Sequence, residues 1–321
     1  MTISQPVQTT RISRYDTAAL REAATLIRAG EPVAVPTETV YGLAADATDD
    51  QAVAAIYAAK GRPGFNPLIV HVADRAMAER IAQFAPSAIM LADAFWPGPL
   101  TLVLPLRTDS GIAPRVTAGL PTIALPLPAH PAMTGLIRES GKPLAAPSAN
   151  RSGGISPTRA EHVLASLGGR IRLILDAGPT SEGVESTIVA PETDRIRLLR
   201  PGSITVQMLE KASGLPVIAS GHDGTATGIE APGQLESHYA PGKPLRLNAM
   251  QAERDEYLIG FGLMPCHYNI SADADVREAA TNLFAALHLA DASTAARIAI
   301  APIPHDGIGA AINDRLRRAA A

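Results

Sequence analysis

The chain has 321 residues, of which 46% are apolar, 18% charged and 4% aromatic, and a net charge of −3. That composition supports a real core and excludes a disordered chain or a coiled coil, and no apolar run approaches the roughly 18 residues of a membrane helix. The single cysteine, Cys266, excludes an internal disulfide framework and a multi-cysteine zinc site, and with no basic and apolar leader at the start of the sequence a cytoplasmic protein is expected.

In chain order, residues 16–30 read as an amphipathic helix, with Leu20, Ala23, Ala24 and Ile27 at helical spacing and Gly30 as its stop. Residues 33–36 read as a short buried strand, and 49–59 as a helix capped by Thr48 or Asp49. A strand at 67–72 and a helix at 74–82 follow, then strands at 100–104 and 122–125, a helix at 131–139 and a strand at 144–147. Thr158-Arg159-Ala160-Glu161 has the pattern of a capping box opening a helix that runs to Gly168. Strands are expected at 173–175, 186–189 and 195–199. Helices and strands mix without strict βαβ alternation, which favours a mixed twisted sheet over a doubly wound one.

Composition breaks at 219–244, a Gly-, Thr- and Pro-rich linker longer than the ~15 residues beyond which connections are usually functional or disordered. Beyond it, strands at 245–248, 257–261 and 298–301 and helices at 276–289 and 309–319 describe a small α/β domain. The expected organisation is a first domain over 1–215, a linker over 216–243 and a C-terminal domain over 244–321. Residues 1–215 hold 20 Lys+Arg against 19 Asp+Glu, and the rest 8 against 12. Neither part has the basic excess of a generic nucleic-acid binder.

Several signatures are absent. No Gly-x-x-x-x-Gly-Lys-Ser/Thr run occurs, and Gly307-Ile308-Gly309 lacks the third glycine of a dinucleotide fingerprint. There is no Gly-x-Ser-x-Gly elbow, and no histidines stand at metal-ligand spacing. Four polar segments remain. Lys60-Gly61-Arg62-Pro63 places two cations on a rigid turn before a strand, a point charge and a bidentate fork, which suits polyphosphate. A solvated helix C-terminus explains Lys60 equally well. His71 lies in the apolar strand that follows, where a core histidine is the commoner reading. The run from Pro147 to Thr158 brings hydroxyls, an amide and backbone N–H groups to a helix start, an anion site or a plain turn. The third segment, Gly183 to Val189, carries small polar residues into an apolar strand. The fourth, Leu199-Arg200-Pro201-Gly202, puts an arginine at a strand end.

Together these segments resemble the YrdC-type threonylcarbamoyl-AMP synthases, in the longer form with an appended C-terminal domain. The resemblance is carried by residues 36–43, 60–72, 146–158, 183–189 and Arg200-Pro201-Gly202. The run 232–241, Pro-Gly-Gln-Leu-Glu-Ser-His-Tyr-Ala-Pro, is similar to that form's linker, and 307–316 to its final helix. The likeness extends from about residue 16 to the end of the sequence. The fold it implies is α/β: an open twisted mixed sheet with helices around a concave cavity, followed by a small Rossmann-like domain. The reaction it implies is a nucleotidyl transfer. L-Threonine, bicarbonate or CO2 and ATP give threonylcarbamoyl-AMP and pyrophosphate, for the N6-threonylcarbamoyladenosine modification of tRNA.

By the same resemblance, Lys60 and Arg62 are the catalytic cations and bind ATP together with Asn66, Thr117, Ser148, Asn150, Ser156, Arg200 and Tyr239. Thr39, His71, Ser186 and the backbone at Ala146 hold threonine. Threonine's amine attacks CO2 and the carbamate oxygen attacks the α-phosphorus. No protein nucleophile is needed, and catalysis is positioning plus charge stabilisation. ATP is a substrate. Mg2+ is expected with it, and no acidic cluster names its ligands. The implied partners are the three substrates and the tRNA threonylcarbamoyltransferase machinery that takes the product, with weak RNA contact left open and no membrane. The linker would close over the cavity and keep water from the carbamate and the mixed anhydride, with His238-Tyr239 at the contact and Tyr239 near the nucleotide; a plain tether is the alternative.

One position departs from the family pattern: an arginine usually stands where this chain has Pro126. Such an arginine suits the threonine carboxylate, whereas proline offers no donor. A charged hydrogen bond is worth about 1.5–3 kcal/mol, so either another cation, such as Arg115 or Arg151, substitutes, or threonine binds weakly, or the amino acid differs. A competing reading is a non-catalytic RNA-binding or ribosome-maturation factor, which predicts salt-sensitive RNA binding without pyrophosphate release. A carbamoyl-adenylating enzyme of hydrogenase maturation would need cysteine-rich zinc modules that one cysteine cannot build.

Overall fold

The computed structural model describes residues 9–219, 230–231 and 237–321. β1 (Arg11–Arg14) leads into α1 (Thr17–Arg28), whose stripe Ala19, Ala23, Ala24 and Ile27 is buried. β2 (Val33–Pro36) and β3 (Tyr41–Asp46) form an antiparallel hairpin. α2 (Asp50–Lys60) starts where the Asp49 carboxylate accepts the Gln51 and Ala52 N–H groups, and stops at Gly61, at φ 62°. The chain continues through β4 (Val70–His71), α3 (Arg75–Ile81), α4 (Pro86–Phe95), β5 (Leu100–Pro105), α5 (Pro114–Thr117), β6 (Thr122–Pro126), α6 (Pro131–Ser140) and β7 (Leu144–Ala145). It then forms α7 (Ala160–Leu167), β8 (Leu173–Asp176), β9 (Thr187–Pro191), β10 (Ile196–Arg200), α8 (Val206–Ser213) and β11 (Val217–Ala219).

These strands make a six-stranded sheet, β1-β8-β2-β3-β7-β4, and a five-stranded sheet, β11-β10-β9-β5-β6, both mixed in direction. The sheets meet edge to edge. Ile69 bridges to Ala124, and the Val72 N–H donates to the Pro126 carbonyl at 3.2 Å. In the five-stranded sheet Pro126 pairs with Thr101, Thr101 with Ile188 and Ile188 with Arg200, a single cross-strand row that ends at the arginine.

The C-terminal domain holds β12 (Leu245–Arg246), β13 (Glu256–Gly260), β14 (Tyr268–Asn269), α9 (Val276–Ala292), β15 (Arg297–Ile300) and α10 (Gly309–Ala319). Its sheet is parallel throughout, in the order β12-β15-β13-β14. Its core of Leu283, Phe284, Leu287, Ile298, Ile300 and Ile312 is continuous with Val40, Ile155 and Val184 of the first domain and with Tyr239 of the linker. The two domains therefore share one apolar seam. Gly183, at φ +72°, lies directly against α9; a Cβ there would stand 2.4 Å from the Thr281 Cα.

The mixed sheet agrees with the sequence expectation, and several details differ. The capping box does not form: α7 follows Arg159, which makes no side-chain cap, and the Thr158 N–H donates to His162 Nδ1 at 3.3 Å. His162, inside the first turn, competes for the group the box would have used. β3 is buried at every residue and so shows none of the alternation that marks a half-buried strand. α4 begins at Pro86 without a polar cap, which hides its start. The expected linker opens as structure, because β11 extends the five-stranded sheet beside β10. Residues 220–229 and 232–236 of the linker, with the Pro232–Glu236 part of its motif, lie outside the described residues. Among the described residues no helix is long and apolar enough to cross a membrane.

Candidate active site

A cavity opens where the two sheets meet. Its wall takes Thr37–Val40 from the β2–β3 turn, Arg62 from the turn after α2, His71 from β4, Thr101 from β5 and Pro126 from β6. Ala146 to Ser148, Glu185 and Ser186, Arg200, and His238 and Tyr239 of the linker complete it. The β2–β3 turn is braced by Thr37, whose Oγ1 accepts the Thr39 and Val40 N–H groups at 3.1 and 3.2 Å. Ser186 Oγ shares a hydrogen bond with Thr101 Oγ1 at 2.7 Å, and Arg200 donates Nε to the Ser186 carbonyl at 3.1 Å and Nη2 to Ser186 Oγ at 3.2 Å. His71 is 8% exposed, its Nδ1 has no hydrogen-bond partner, and burial pushes its pKa down to about 4.

The other side of the site is cationic. Lys60 is 3% exposed and Arg62 9%. Lys60 Nζ donates to the Ser148 and Asn150 carbonyls at 2.6 and 2.5 Å. Arg62 donates Nε to the Asn66 carbonyl at 3.2 Å, and Nη2 to Asn66 Oδ1 at 2.6 Å and the Pro67 carbonyl at 2.8 Å. Every one of these acceptors is neutral. Among the described residues no carboxylate forms an ion pair with Lys60 or Arg62, although Arg residues elsewhere in the chain commonly find one. Burial, and then the nearby Arg62 charge, hold Lys60 well below its ordinary pKa, and burial lowers Arg62 to about 10. Buried cations with only dipoles around them are costly; an arriving anion removes that cost. Asn66 Nδ2 and Asn150 Oδ1 are also buried without partners beside them.

Of the residues singled out in the sequence, Thr39, Arg62, His71, Ala146, Ser148, Ser186, Arg200 and Tyr239 reach the cavity wall. Lys60, Asn66, Asn150 and Ser156 stand behind it, each hydrogen-bonded to a wall residue. Thr117 is not brought to the wall; its hydroxyl turns back to the Pro114 carbonyl on α5. Neither arginine proposed to stand in at Pro126 reaches the cavity: Arg115 is exposed and pairs with Asp50 at 3.0 Å, and Arg151 donates to the Ser166 carbonyl at 3.3 Å.

The linker covers the cations. The His238 N–H donates to the Arg318 carbonyl at 3.1 Å and the Ala240 N–H to the Gly153 carbonyl at 2.8 Å, so His238-Tyr239 is pinned from both domains. The Tyr239 ring lies 5.6 Å from the Phe284 ring, and the Arg315 guanidinium 5.2 Å from the Tyr239 centroid. Burial, reinforced by Lys60, Arg62 and Arg200, drives the His238 pKa to about 3 against the opposing pull of Glu185. A neutral imidazole therefore sits among the cations at physiological pH. Sequence reasoning left Glu185 unassigned within a segment it marked, and missed Arg315. The signal was present: Arg315 shares the stripe Ala311, Ile312, Leu316 and Ala319, so α10 carries a charge on its buried face. Among the described residues no group of three or more His, Cys, Asp or Glu is placed to hold a metal ion.

Comparison with known proteins supplies the chain's relatives. A family model described as "Telomere recombination" (Sua5_yciO_yrdC) matches residues 25–202, and one described as "Threonylcarbamoyl-AMP synthase, C-terminal domain" matches 204–321. The chain is 43% identical to a threonylcarbamoyl-AMP synthase of Bacillus subtilis, over 94% of this chain and 92% of that one. It is 40% identical to one of Pyrococcus abyssi, over 94% and 93% of the two chains. A crystal structure of Pyrococcus abyssi Sua5 complexed with L-threonine superposes with a TM-score of 0.86 at 38% identity, covering 98% of this chain and 97% of that chain.

Proposed function

The chain belongs to the threonylcarbamoyl-AMP synthase family, and from that premise we propose that its cavity joins L-threonine, bicarbonate or CO2 and ATP into threonylcarbamoyl-AMP, with release of pyrophosphate. The observation that carries the reading is the pair of buried cations, Lys60 and Arg62, with only neutral partners among the described residues, at the edge of a cavity lined by His238 and Tyr239 of the linker. Such a pair is incomplete without a polyanion, and the triphosphate of ATP, entering with its Mg2+, supplies one. Asn66 Nδ2 and Asn150 Oδ1 offer the donor and acceptor that remain unsatisfied nearby.

In this reading Thr39, His71, Ser186 and the backbone at Ala146, all on the wall, take threonine, while Arg62 on the wall and Lys60 behind it, bonded to the Ser148 carbonyl, take the phosphates. His71, kept neutral by burial, accepts or donates a hydrogen bond without adding charge. Threonine's amine attacks CO2 and loses a proton, giving the carbamate. A carbamate oxygen then bonds to the α-phosphorus as the bond to the pyrophosphate oxygen breaks. Negative charge builds on the phosphates, where the two cations lie. The protein contributes position and electrostatics and forms no covalent bond itself. His238-Tyr239 must withdraw to admit ATP, and its return excludes water from both labile species. The product then passes to the machinery that modifies tRNA, in the cytoplasm.

The test is pyrophosphate release from ATP, with threonine and bicarbonate omitted in turn. Release that needs both, and that falls by about 10- to 150-fold in Lys60→Met or Arg62→Gln as a lost charged hydrogen bond requires, supports the reading. Absence of release from a folded protein that still binds ATP overturns it.

A further inference from the structure

We propose that Arg315 of the C-terminal domain is a positioning residue for the active site: it neutralises Glu185 in the cavity wall, so that the appended domain sets the charge the substrates meet. The inference rests on the synthase reading and extends it to a domain that otherwise only anchors the linker.

Arg315 is 0% exposed, among the largest fully buried side chains in the protein. Its Nε donates to Glu185 Oε2 at 2.8 Å, one Nη2 bond runs to the Glu185 carbonyl at 3.4 Å and another to the Pro201 carbonyl at 3.0 Å, and Nη1 meets Asp314 Oδ2 at 2.9 Å. α10 thus reaches across the domain boundary to the loop before β9, which carries Ser186, and to the turn after Arg200. Glu185 Oε1 accepts a hydrogen bond from Ser156 Oγ. The Ser156 carbonyl in turn lies 3.2 Å from His288 Nε2 of α9. The C-terminal domain therefore holds both ends of the Ser156–Glu185 contact. Thr281 Oγ1 donates to the Ser181 carbonyl at 3.0 Å, and Gly183 fits against the α9 backbone, which fixes the same loop a third time.

The charge argument is direct. A carboxylate in the wall of a cavity built for ATP, bicarbonate and an amino-acid carboxylate repels all three. Glu185 is tolerable there because Arg315 faces it from behind. The other groups that face it are Arg200 of β10, the hydroxyl of Ser156, and His238 and Tyr239 of the linker, with Asp314 on the far side of Arg315. Burial alone would raise the Glu185 pKa; Arg315 and Arg200 outweigh it and keep the carboxyl below its ordinary value. Arg315 also faces the Tyr239 ring, so docking of α10, neutralisation of Glu185 and closure of the linker occur together.

Arg315→Met, Arg315→Lys, Glu185→Gln and the double variant Arg315→Met/Glu185→Gln are compared by pyrophosphate release across pH 6–9 and by affinity for inorganic pyrophosphate. Arg315→Met is expected to raise the half-saturating ATP concentration by about 10-fold or more, the scale of an uncompensated buried charge. Its deficit should shrink as pH falls, because the stranded Glu185 carboxyl takes up a proton. Adding Glu185→Gln should restore the double variant to within about threefold of Glu185→Gln alone, a clear departure from additivity. Arg315→Lys should keep the wild-type pH profile. Additive losses with an unchanged pH profile, or a Lys variant as damaged as the Met variant, overturn the proposal and make Arg315 a packing residue. If Arg315→Met does not fold, the Lys and double variants carry the same comparison. If the wild type releases no pyrophosphate, the synthase reading fails, and pyrophosphate affinity still decides the role of Arg315.

Discussion

Replacing Lys60 by Met separates the cost of a buried charge from its use. The two side chains are similar in length, so packing is largely kept. Lys60 is 3% exposed and the only hydrogen bonds of its ammonium among the described residues are to the Ser148 and Asn150 carbonyls. Removing the ammonium relieves a desolvation penalty of several kcal/mol, and leaves two carbonyls short of a donor at about 1–3 kcal/mol each. The terms oppose and nearly cancel. Stability is expected to change by less than about 2 kcal/mol, a shift in Tm of only a few degrees. Binding has no such compensation: the variant loses a charged hydrogen bond to phosphate, about 1.5–3 kcal/mol, or roughly 10- to 150-fold in affinity. Differential scanning calorimetry with and without pyrophosphate reads both quantities. A second readout is pH. The folded protein holds Lys60 below its unfolded value near 10.4; between those values the unfolded state binds more protons, so wild-type stability rises with pH through that window. The Met variant should lose this slope. A collapse in Tm with unchanged pyrophosphate affinity would make Lys60 a structural residue and refute the reasoning.

Three further outcomes are expected. Gly183→Ala puts a Cβ 2.4 Å from the Thr281 Cα at a residue with φ +72°; overpacking and backbone strain should together cost about 2–5 kcal/mol, read as a lower Tm and faster proteolysis of the C-terminal domain. His162 and His288 stack across the domain boundary with ring centroids 3.9 Å apart, and burial lowers both, His162 to about 3. Because the folded values lie below the unfolded value near 6.5, their contribution is full above that pH and is lost as pH falls below it; His288→Gln should reduce the acid slope of stability by at most about 1.4 kcal/mol per pH unit in urea titrations between pH 6.5 and 4. Pro126→Arg, on the cavity wall beside Thr101, should lower the half-saturating threonine concentration by about 10-fold or more in initial-rate assays; no change would mean that a cation already present holds the carboxylate.

The legible parts of this molecule were those with a local cause. Asp49 and Gly61 bracket α2 by cap chemistry, and that bracket ends the helix on Lys60. The sequence could place Lys60 beside Arg62, but not decide between a solvated helix end and a buried cation. That distinction depends on Ser148 and Asn150, some 90 residues away, and only the fold supplies it. β3 escaped notice because all of its residues are buried, which removes the period that pattern reading needs. The capping box at Thr158 failed for the opposite reason: the local pattern was present, but His162 took the N–H. Arg115 and Arg151 were reasonable substitutes for a missing arginine by type alone. Their partners, Asp50 and Ser166, show that direction, which a sequence does not encode locally, decides the matter.

Glu185 and Lys60 are both buried, yet the protein treats them oppositely. Glu185 is matched by Arg315 at 2.8 Å, whereas among the described residues Lys60 and Arg62 are given only carbonyl and amide dipoles. A uniform pressure for stability would pair both or neither, since an unmatched buried charge is costly whatever its sign. The asymmetry is understandable if the missing counter-charge of the cations is the substrate. Carbonyl dipoles hold the cations in place without satisfying them, so an anion gains their full attraction in a low-dielectric setting. A carboxylate partner would have to be displaced first, and the binding energy would go to breaking an ion pair. Two carboxylates line the cavity, Glu38 and Glu185; Glu185 is neutralised from outside the first domain, and this makes charge balance in the cavity depend on a domain that contributes no wall residue of its own.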